Sequence, residues 1–260
     1  MIAVFGSNGF VGSSILKYLI EHNYNAFGVT RETIDLTSYI EVKKFLMNNN
    51  IDTIINAAAI MNNDFNDVRN NLDIFLNLHN NSNLFSRVIN LSSAAAYDRS
   101  KPINNASEDN IQNCSPKDYY GYAENVKCRL SFNHEKFSNI IIFNCFGKGE
   151  YVSRLFHKYL IDKNMVINNN RYFDYFSIQD LCVVVNKLIW EKDTKFVNAV
   201  YNIPKLKINE ALELFCKIKK IPCNYTIASE SELSYTGCGE KLKKIISSEL
   251  NGLKYGFENY

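Results

Sequence analysis

A glycine-rich segment close to the N-terminus has the residue types and spacing of a phosphate-binding turn. Gly6, Gly9 and Gly12 form a G-x-x-G-x-x-G pattern between an apolar run at residues 2–5 and an amphipathic segment at residues 13–21. Glycine permits a tight turn and a close approach of backbone to a pyrophosphate, and a helix N-terminus offers free N–H groups to phosphate oxygens. A tight turn that binds no ligand is the alternative. The predicted dinucleotide site comprises Gly6, Ser7, Asn8, Gly9, Phe10, Val11 and Gly12.

The end of the second apolar run indicates which dinucleotide would bind. An acidic residue there would hold the ribose hydroxyls of NAD, whereas an arginine would favour the 2′-phosphate of NADP. Arg31 occupies this position and favours NADP(H), while the adjacent Glu32 leaves NAD(H) open; a solvated loop without a cofactor role is the alternative. Asp35 and Leu36 are expected close to the adenine. Small residues that would let the backbone lie against the cofactor close the third run: Ala57, Ala58 and Ala59.

Strand-like and helix-like segments alternate along the first 148 residues. This alternation predicts βαβ units and an α/β fold with a Rossmann-type, doubly wound parallel sheet. A long helix is predicted from Tyr119 to Lys136 and a fifth strand from Ile140 to Phe146. After Gly149 the pattern loosens, with a strand expected over residues 171–177. We therefore predict a dinucleotide-binding core at 1–148 and a small C-terminal substrate lobe at 149–260, with 178–204 returning to the core.

Composition and charge exclude several classes of protein. The chain has 29 basic and 27 acidic residues and no basic run, so we expect no nucleic-acid partner. Its apolar runs are shorter than the roughly 18 residues that span a bilayer, so no membrane insertion is expected. Seven scattered cysteines without C-x-x-C spacing argue against a disulfide framework or a zinc site and fit a reduced, cytoplasmic protein. The N-terminus lacks the charged region of a secretory signal.

Several motifs resemble those of the extended short-chain dehydrogenase/reductase family, the NAD-dependent epimerase/dehydratases. Besides the glycine turn they are Ile-Asp-Leu-Thr at 34–37, Ile-Ile-Asn-Ala-Ala-Ala at 54–59 and Leu-Ser-Ser-Ala-Ala-Ala-Tyr at 91–97. The resemblance covers roughly residues 1–205 and is closest to nucleotide-sugar 4-ketoreductases of the GDP-fucose synthase and dTDP-4-dehydrorhamnose reductase types. It implies a cytoplasmic enzyme of surface-polysaccharide sugar synthesis that reduces a 4-keto nucleotide-activated sugar with NADP(H). It also implies a homodimer.

The resemblance assigns the reaction chemistry to a few side chains. Ser93 takes the place of the family's catalytic hydroxyl, which polarises the substrate carbonyl, and Tyr120 takes the place of its proton-donating tyrosine. The family's lysine, four residues after that tyrosine, is Glu124 here, and Lys127 follows one turn later. A carboxylate disfavours the phenolate, which weakens Tyr120 as a base but keeps the neutral form that donates a proton. Glu124 or Lys127 is expected to help hold the nicotinamide ribose.

The resemblance also implies substrate contacts. Ala94 follows the catalytic hydroxyl, and Asn144 matches a substrate-contacting asparagine. Phe173 stands where the family has an arginine that grips the nucleotide diphosphate, and Arg171, on the same face of the predicted strand, is its best substitute. These departures leave two alternatives open. One is a nucleotide-sugar C4 epimerase with bound NAD, and the other is a dinucleotide-binding protein without dehydrogenase chemistry that acts as a sensor or partner subunit.

Overall fold

The computed structural model describes residues 1–60, 64–246 and 249–260. The strands are β1 (Ile2–Phe5), β2 (Ala26–Val29), β3 (Thr53–Asn56), β4 (Arg87–Ser93), β5 (Ile103–Ala106), β6 (Phe137–Ile142), β7 (Cys145–Phe146), β8 (Met165–Ile167), β9 (Phe176–Ser177), β10 (Phe196–Ala199), β11 (Tyr225–Ile227) and β12 (Tyr235–Gly237). The α-helices are α1 (Phe10–Glu21), α2 (Tyr39–Asn48), α3 (Phe65–Asn80), α4 (Tyr119–Ser131), α5 (Leu155–Asp162), α6 (Ile178–Trp190), α7 (Ile208–Lys219), α8 (Glu240–Ile246) and α9 (Gly252–Glu258).

Six strands form a parallel central sheet in the order β10-β6-β4-β3-β1-β2. Every residue of β1 and β3 is buried, as expected for a parallel sheet that helices cover on both faces. The chain adds β2 on one side of β1 and then returns to add β3 on the other. Such a switch point opens a crevice outside the carboxyl ends of the two strands. The predicted α/β fold with a doubly wound parallel sheet is confirmed.

Successive side chains along each central strand point alternately into two separate hydrophobic cores, one on each face of the sheet. Ile2 and Val4 of β1 face the layer that contains α1 and α6, whereas Ala3 and Phe5 face the layer that contains α2 and α3. Phe5 is fully buried, and removing such a side chain from water stabilises a fold by about 1.5–3 kcal/mol. The two layers hold the carboxyl ends of the strands in place, and these ends carry the candidate site.

The residues after β7 build a smaller body against one end of the sheet. Within it β8 pairs with β11, and β12 reaches back to pair with β5. Aromatic rings pack this body against β7, with the ring centroids of Phe146 and Phe257 4.9 Å apart. β10 pairs with β6, so the chain returns to the central sheet before its last helices. Among the described residues, none of the helices combines the length and the apolar character that a membrane crossing requires.

Three predicted elements differ from the structure. The helix expected to continue to Lys136 ends at Ser131, because a turn follows in which the His134 N–H donates to the Ser131 carbonyl, and β6 then begins. The fifth strand begins earlier than expected and is interrupted before β7. The strand expected over 171–177 is reduced to β9, because Tyr172 and Phe173 form single bridges to two different segments instead of one ladder.

Candidate active site

A cavity of about 1040 Å³ opens at the carboxyl ends of the central strands. It runs from the glycine turn after β1 to the first turn of α4, and the loop after β6 and strand β12 close its far end. This is the crevice expected at a switch point of a doubly wound sheet. All predicted cofactor-binding residues line it except Ser7, whose hydroxyl is buried and donates to the Val29 carbonyl.

The glycine turn is shaped by close contacts between backbone segments. Gly6 has φ +76°, and a Cβ atom there would lie 2.8 Å from the Ala58 amide nitrogen. A Cβ on Gly12 would lie 2.3 Å from the Gly6 carbonyl oxygen, so only glycine lets α1 approach the turn this closely. Gly9 caps α1 without a side chain, so among the described residues no N-cap side chain occupies the N–H groups of the first helical turn. These donors and the helix dipole fit the pyrophosphate of a dinucleotide.

The loop after β2 presents two opposite charges to the cavity. Arg31 and Glu32 both line it and both are exposed. Within residues 1–60, 64–246 and 249–260, Arg31 forms no ion pair. Asp35 accepts hydrogen bonds from Thr37 and so stabilises the turn that follows. A phosphate on the adenosine ribose would therefore meet an available guanidinium at this edge of the cavity.

Ser93 and Tyr120 meet at the opposite end of the cavity. Ser93 ends β4, and its hydroxyl accepts a hydrogen bond from the Ala95 amide, which fixes its rotamer. Tyr120 lies in the first turn of α4, which Asp118 caps by accepting from the Gly121 amide at 2.8 Å. Burial raises the pKa of Tyr120 well above its usual value and the charge of Glu124 raises it further, whereas a hydrogen bond with Ser93 lowers it. Tyr120 is therefore a neutral phenol at physiological pH.

Glu124 and Lys127 form a buried ion pair behind Tyr120. The two side chains contact each other directly and are 1% and 3% exposed. The Ser92 hydroxyl donates to Glu124 at 2.8 Å and also contacts the Cys128 sulfur at 3.3 Å. In the described part of the chain neither charged side chain lines the cavity. This geometry does not support the expectation that one of them holds the nicotinamide ribose. Both side chains are buried behind Tyr120, and their opposite charges pair with each other.

The predicted substrate contacts are brought together only in part. Asn144 and Arg171 line the cavity, whereas Ala94 is fully buried and does not. Asn144 accepts a hydrogen bond from Arg154, and the Arg171 guanidinium stacks 5.4 Å from the Phe173 ring. The Arg171 Nε is buried without a hydrogen-bond partner in the described structure, while its Nη1 donates to the Leu233 carbonyl at 3.3 Å.

Several polar residues that line the cavity were not predicted from the sequence, among them Arg99, Glu150, Arg154 and Tyr235. Arg99 donates to Asp118 at 2.5 Å, and its charge lowers the pKa of Tyr120. Burial raises the pKa of Glu150, which accepts a hydrogen bond from the Tyr260 hydroxyl at 2.7 Å. Arg154 is anchored by Asn144 and the Cys145 carbonyl. No motif in the sequence marks these positions, because long-range contacts bring them to the site.

The sequence profile of the NAD dependent epimerase/dehydratase family matches residues 2–203. The chain belongs to this family. The match spans the glycine turn, Ser93 and Tyr120 and ends before β12, so Tyr235 lies outside it. No curated protein matches the chain significantly by sequence.

Solved structures with the same fold cover nearly the whole chain. A GDP-L-fucose synthetase from Naegleria fowleri bound to NADP has a TM-score of 0.83 at 13% identity and covers 99% of this chain and 90% of that one. A dTDP-4-dehydrorhamnose reductase from Clostridium acetobutylicum has a TM-score of 0.81 at 16% identity, with 100% and 97% covered. A UDP-glucose 4-epimerase from Thermotoga maritima with UDP-glucose has a TM-score of 0.82 at 16% identity, with 99% and 96% covered. At these identities the likeness establishes the fold only.

Proposed function

We propose that this protein is an NADP(H)-dependent reductase of a 4-keto nucleotide-activated sugar. One observation carries the proposal: a single cavity joins a glycine turn shaped for a pyrophosphate to a serine and a neutral, buried tyrosine that hydrogen-bond each other. Membership of the epimerase/dehydratase family supports it, as does the likeness in fold to reductases of nucleotide sugars. Residues 149–260 would form the substrate lobe, except for 178–204, which return to the dinucleotide-binding core. The reduced sugar would be used in the synthesis of surface polysaccharides.

The residues at the reaction end divide the chemistry between them. A bound nicotinamide supplies the hydride for the carbonyl carbon. The Ser93 hydroxyl donates a hydrogen bond to the carbonyl oxygen and polarises it. Tyr120, whose phenol is protonated at physiological pH, donates the proton that this oxygen takes up. The buried Glu124–Lys127 pair holds the helix face beneath Tyr120 and acts as a positioning element, not as a ribose ligand.

The charged side chains along the cavity fit a substrate with a diphosphate. Arg154 and Arg171 both line it on the side of the C-terminal lobe, and each is oriented by protein contacts of its own. Arginine binds phosphate oxygens through two parallel hydrogen bonds, so two such groups suit a nucleoside diphosphate sugar. Arg31, at the other end, favours NADP(H) over NAD(H).

The proposal is tested first by binding and then by turnover. Fluorescence titration of the purified protein with NADPH and NADH should show tighter binding of NADPH. Arg31→Ala should remove this preference, while Arg69→Ala, which changes an exposed arginine on α3, should not. Loss of NADPH absorbance is then followed with 4-keto sugars linked to GDP, dTDP or UDP. We expect Tyr120→Phe to reduce kcat about 100- to 10,000-fold, and Tyr122→Phe, an exposed tyrosine on the same helix, to leave it unchanged.

The outcomes separate the proposed function from its rivals. Failure to bind either dinucleotide would refute it at the first step. Binding without turnover of any 4-keto sugar would favour the sensor or partner subunit, which the Glu124 position motivates. Release of a 4-epimer from an unreduced nucleotide sugar, without net consumption of NADPH, would identify an epimerase instead.

A further inference from the structure

Tyr235 is a phenol that the C-terminal lobe brings to the reaction end of the cavity. Strand β12 pairs with β5 so that Tyr235 lies opposite Ile103. Its amide donates to the Tyr172 carbonyl at 2.9 Å, and its carbonyl accepts from the Asp174 amide at 3.1 Å. The backbone is therefore held on both sides, by β5 and by the segment at 172–174, which fixes the face from which the side chain projects.

The Tyr235 ring is fixed between two phenylalanines. The Phe173 ring stacks on it with centroids 5.1 Å apart, and the Phe143 ring meets it edge-on at 5.2 Å. The residue is 7% exposed, yet it lines the same cavity as Ser93 and Tyr120. Ring packing of this kind does not need the hydroxyl group. The conformation of the ring is thus preorganised, and its hydroxyl faces polar groups at the cavity end.

The hydroxyl groups of Tyr120 and Tyr235 converge on Ser93. Ser93, Tyr120, Tyr235 and Arg99 line the same cavity, and a hydrogen bond with Ser93 and the charge of Arg99 both lower the pKa of each phenol. Burial raises the pKa of Tyr235 to about 12, so that this phenol remains protonated at physiological pH. A serine and two neutral phenols therefore surround one small volume at the end of the cavity.

We propose that Tyr235 is a second phenolic hydrogen-bond donor to the carbonyl oxygen of the substrate. The proposal rests on the reductase function proposed above and extends it to a residue outside the family match. As hydride reaches the carbonyl carbon, negative charge develops on the oxygen, and Ser93, Tyr120 and Tyr235 all donate to it. Tyr120 then transfers its proton to the oxygen and takes one back from solvent, whereas Tyr235 keeps its own. Donors already oriented toward a developing oxyanion lower the barrier without reorganisation.

The convergence also links substrate binding to catalysis. Tyr235 belongs to the lobe that carries Arg171 and lies next to Phe173, whereas Ser93 and Tyr120 belong to the dinucleotide-binding core. The three donors surround the carbonyl oxygen only when β12 is seated against β5. The lobe would therefore complete the oxyanion site as well as select the sugar.

The test compares Tyr235→Phe with wild-type protein in the reduction of the 4-keto nucleotide sugar that the wild type turns over. We expect kcat to fall about 100- to 1000-fold, the loss typical of one oxyanion donor, with KM and the NADPH Kd changed less than about threefold. With NADPH deuterated at the transferred hydrogen, the isotope effect on kcat should increase, because hydride transfer becomes slower. Tyr172→Phe, which removes an exposed hydroxyl from the strand segment beside Tyr235, is the matched control and should behave as wild type. Thermal unfolding of both variants checks that the lobe stays folded.

A Tyr235→Phe variant with wild-type kcat would overturn the inference. A variant with raised KM and unchanged kcat would overturn it as well, since the hydroxyl would then serve only ground-state binding. In both cases the proposed function stands, because the wild type turns over. Wild-type protein that reduces no 4-keto nucleotide sugar would overturn the proposed function and this inference together.

Discussion

The two ends of the cavity are lined by different kinds of chemical groups. At the dinucleotide end, backbone atoms and small side chains from residues 6–12 and 57–59 form the surface, and glycines set the distances. At the reaction end, polar side chains from β4, α4 and β12 meet, and two ion pairs lie near Tyr120. The first end depends on local backbone geometry and the second on a balance of charges between distant segments.

The difference implies that the two ends tolerate substitution differently. A turn built from backbone contacts accepts almost no substitution, because a Cβ atom on Gly6 or Gly12 would overlap neighbouring backbone. An electrostatic environment can be built in more than one way. Here Lys127 neutralises Glu124 from the next turn, and Arg99 supplies a positive charge from another loop.

Breaking the buried pair should have the largest effect. Lys127→Met leaves the Glu124 carboxylate buried without its partner, and the loss of such a partner costs about 3–5 kcal/mol. Urea denaturation followed by circular dichroism measures the free energy of unfolding. Lys17→Met, in an exposed pair with Glu21, is the control and should change it by less than about 1 kcal/mol. If Lys127→Met were as mild as this control, the pair would have no structural role.

Gly12→Ala tests the dinucleotide end. The new methyl group would lie 2.3 Å from the Gly6 carbonyl oxygen, so α1 must move away from the turn and its N–H groups from the pyrophosphate. We expect NADPH to bind at least about tenfold more weakly, a change of about 1.4 kcal/mol, as measured by fluorescence titration. Gly252→Ala, outside the cavity lining, adds a methyl group that meets no neighbour within 4 Å but strains the backbone at φ +86°; it controls for glycine replacement as such and should keep wild-type affinity.

Exchanging the charges of the buried pair tests whether the charge at position 124 controls the pKa of Tyr120. The double variant Glu124→Lys/Lys127→Glu keeps an ion pair but places the cation beside Tyr120, which should lower the pKa of the phenol. Oxidation of the reduced sugar by NADP⁺ requires the phenolate, so its rate rises with pH toward the tyrosine pKa. The double variant should therefore oxidise about tenfold faster than wild type near pH 8. Reduction requires the protonated phenol, and its decline at high pH should begin at a lower pH. Unchanged pH profiles would show that Glu124 does not influence Tyr120.

Arg99→Met should have the smallest effect. The Arg99 charge lowers the pKa of Tyr120, so its removal should raise that pKa and slow oxidation at a fixed pH. Because the Arg99 side chain is 43% exposed, solvent and salt screen its charge, and we expect only about a threefold loss at low ionic strength. Rates measured in low and high salt should converge for wild type and variant. Arg129→Met, on the exposed face of α4, is the control and should show no such salt dependence.

The fold and the dinucleotide end were predictable because both follow from short-range patterns. Glycine spacing, apolar runs and amphipathic periodicity are properties of neighbouring residues, and they identified the sheet, the turn and nearly all of the cavity lining near it. Element ends were less predictable, as at α4, because a turn after Ser131 depends on packing that periodicity does not contain. The partnership of Glu124 with Lys127 was missed for a similar reason, since helical spacing allows the contact but burial selects it.

By itself, the sequence determined the α/β class, the position of the glycine turn, and the presence of a serine and a tyrosine, the residue types needed at a reaction site. Only the tertiary structure determined which of those side chains interact and which of them line the cavity. It turned Glu124 and Lys127 away from the cavity, and it brought Arg99, Arg154 and Tyr235 into it from positions that no motif marks. The physical reason is that a backbone turn is specified by the conformational preferences of a few adjacent residues. The charge around a phenol depends on every group that folding places near it.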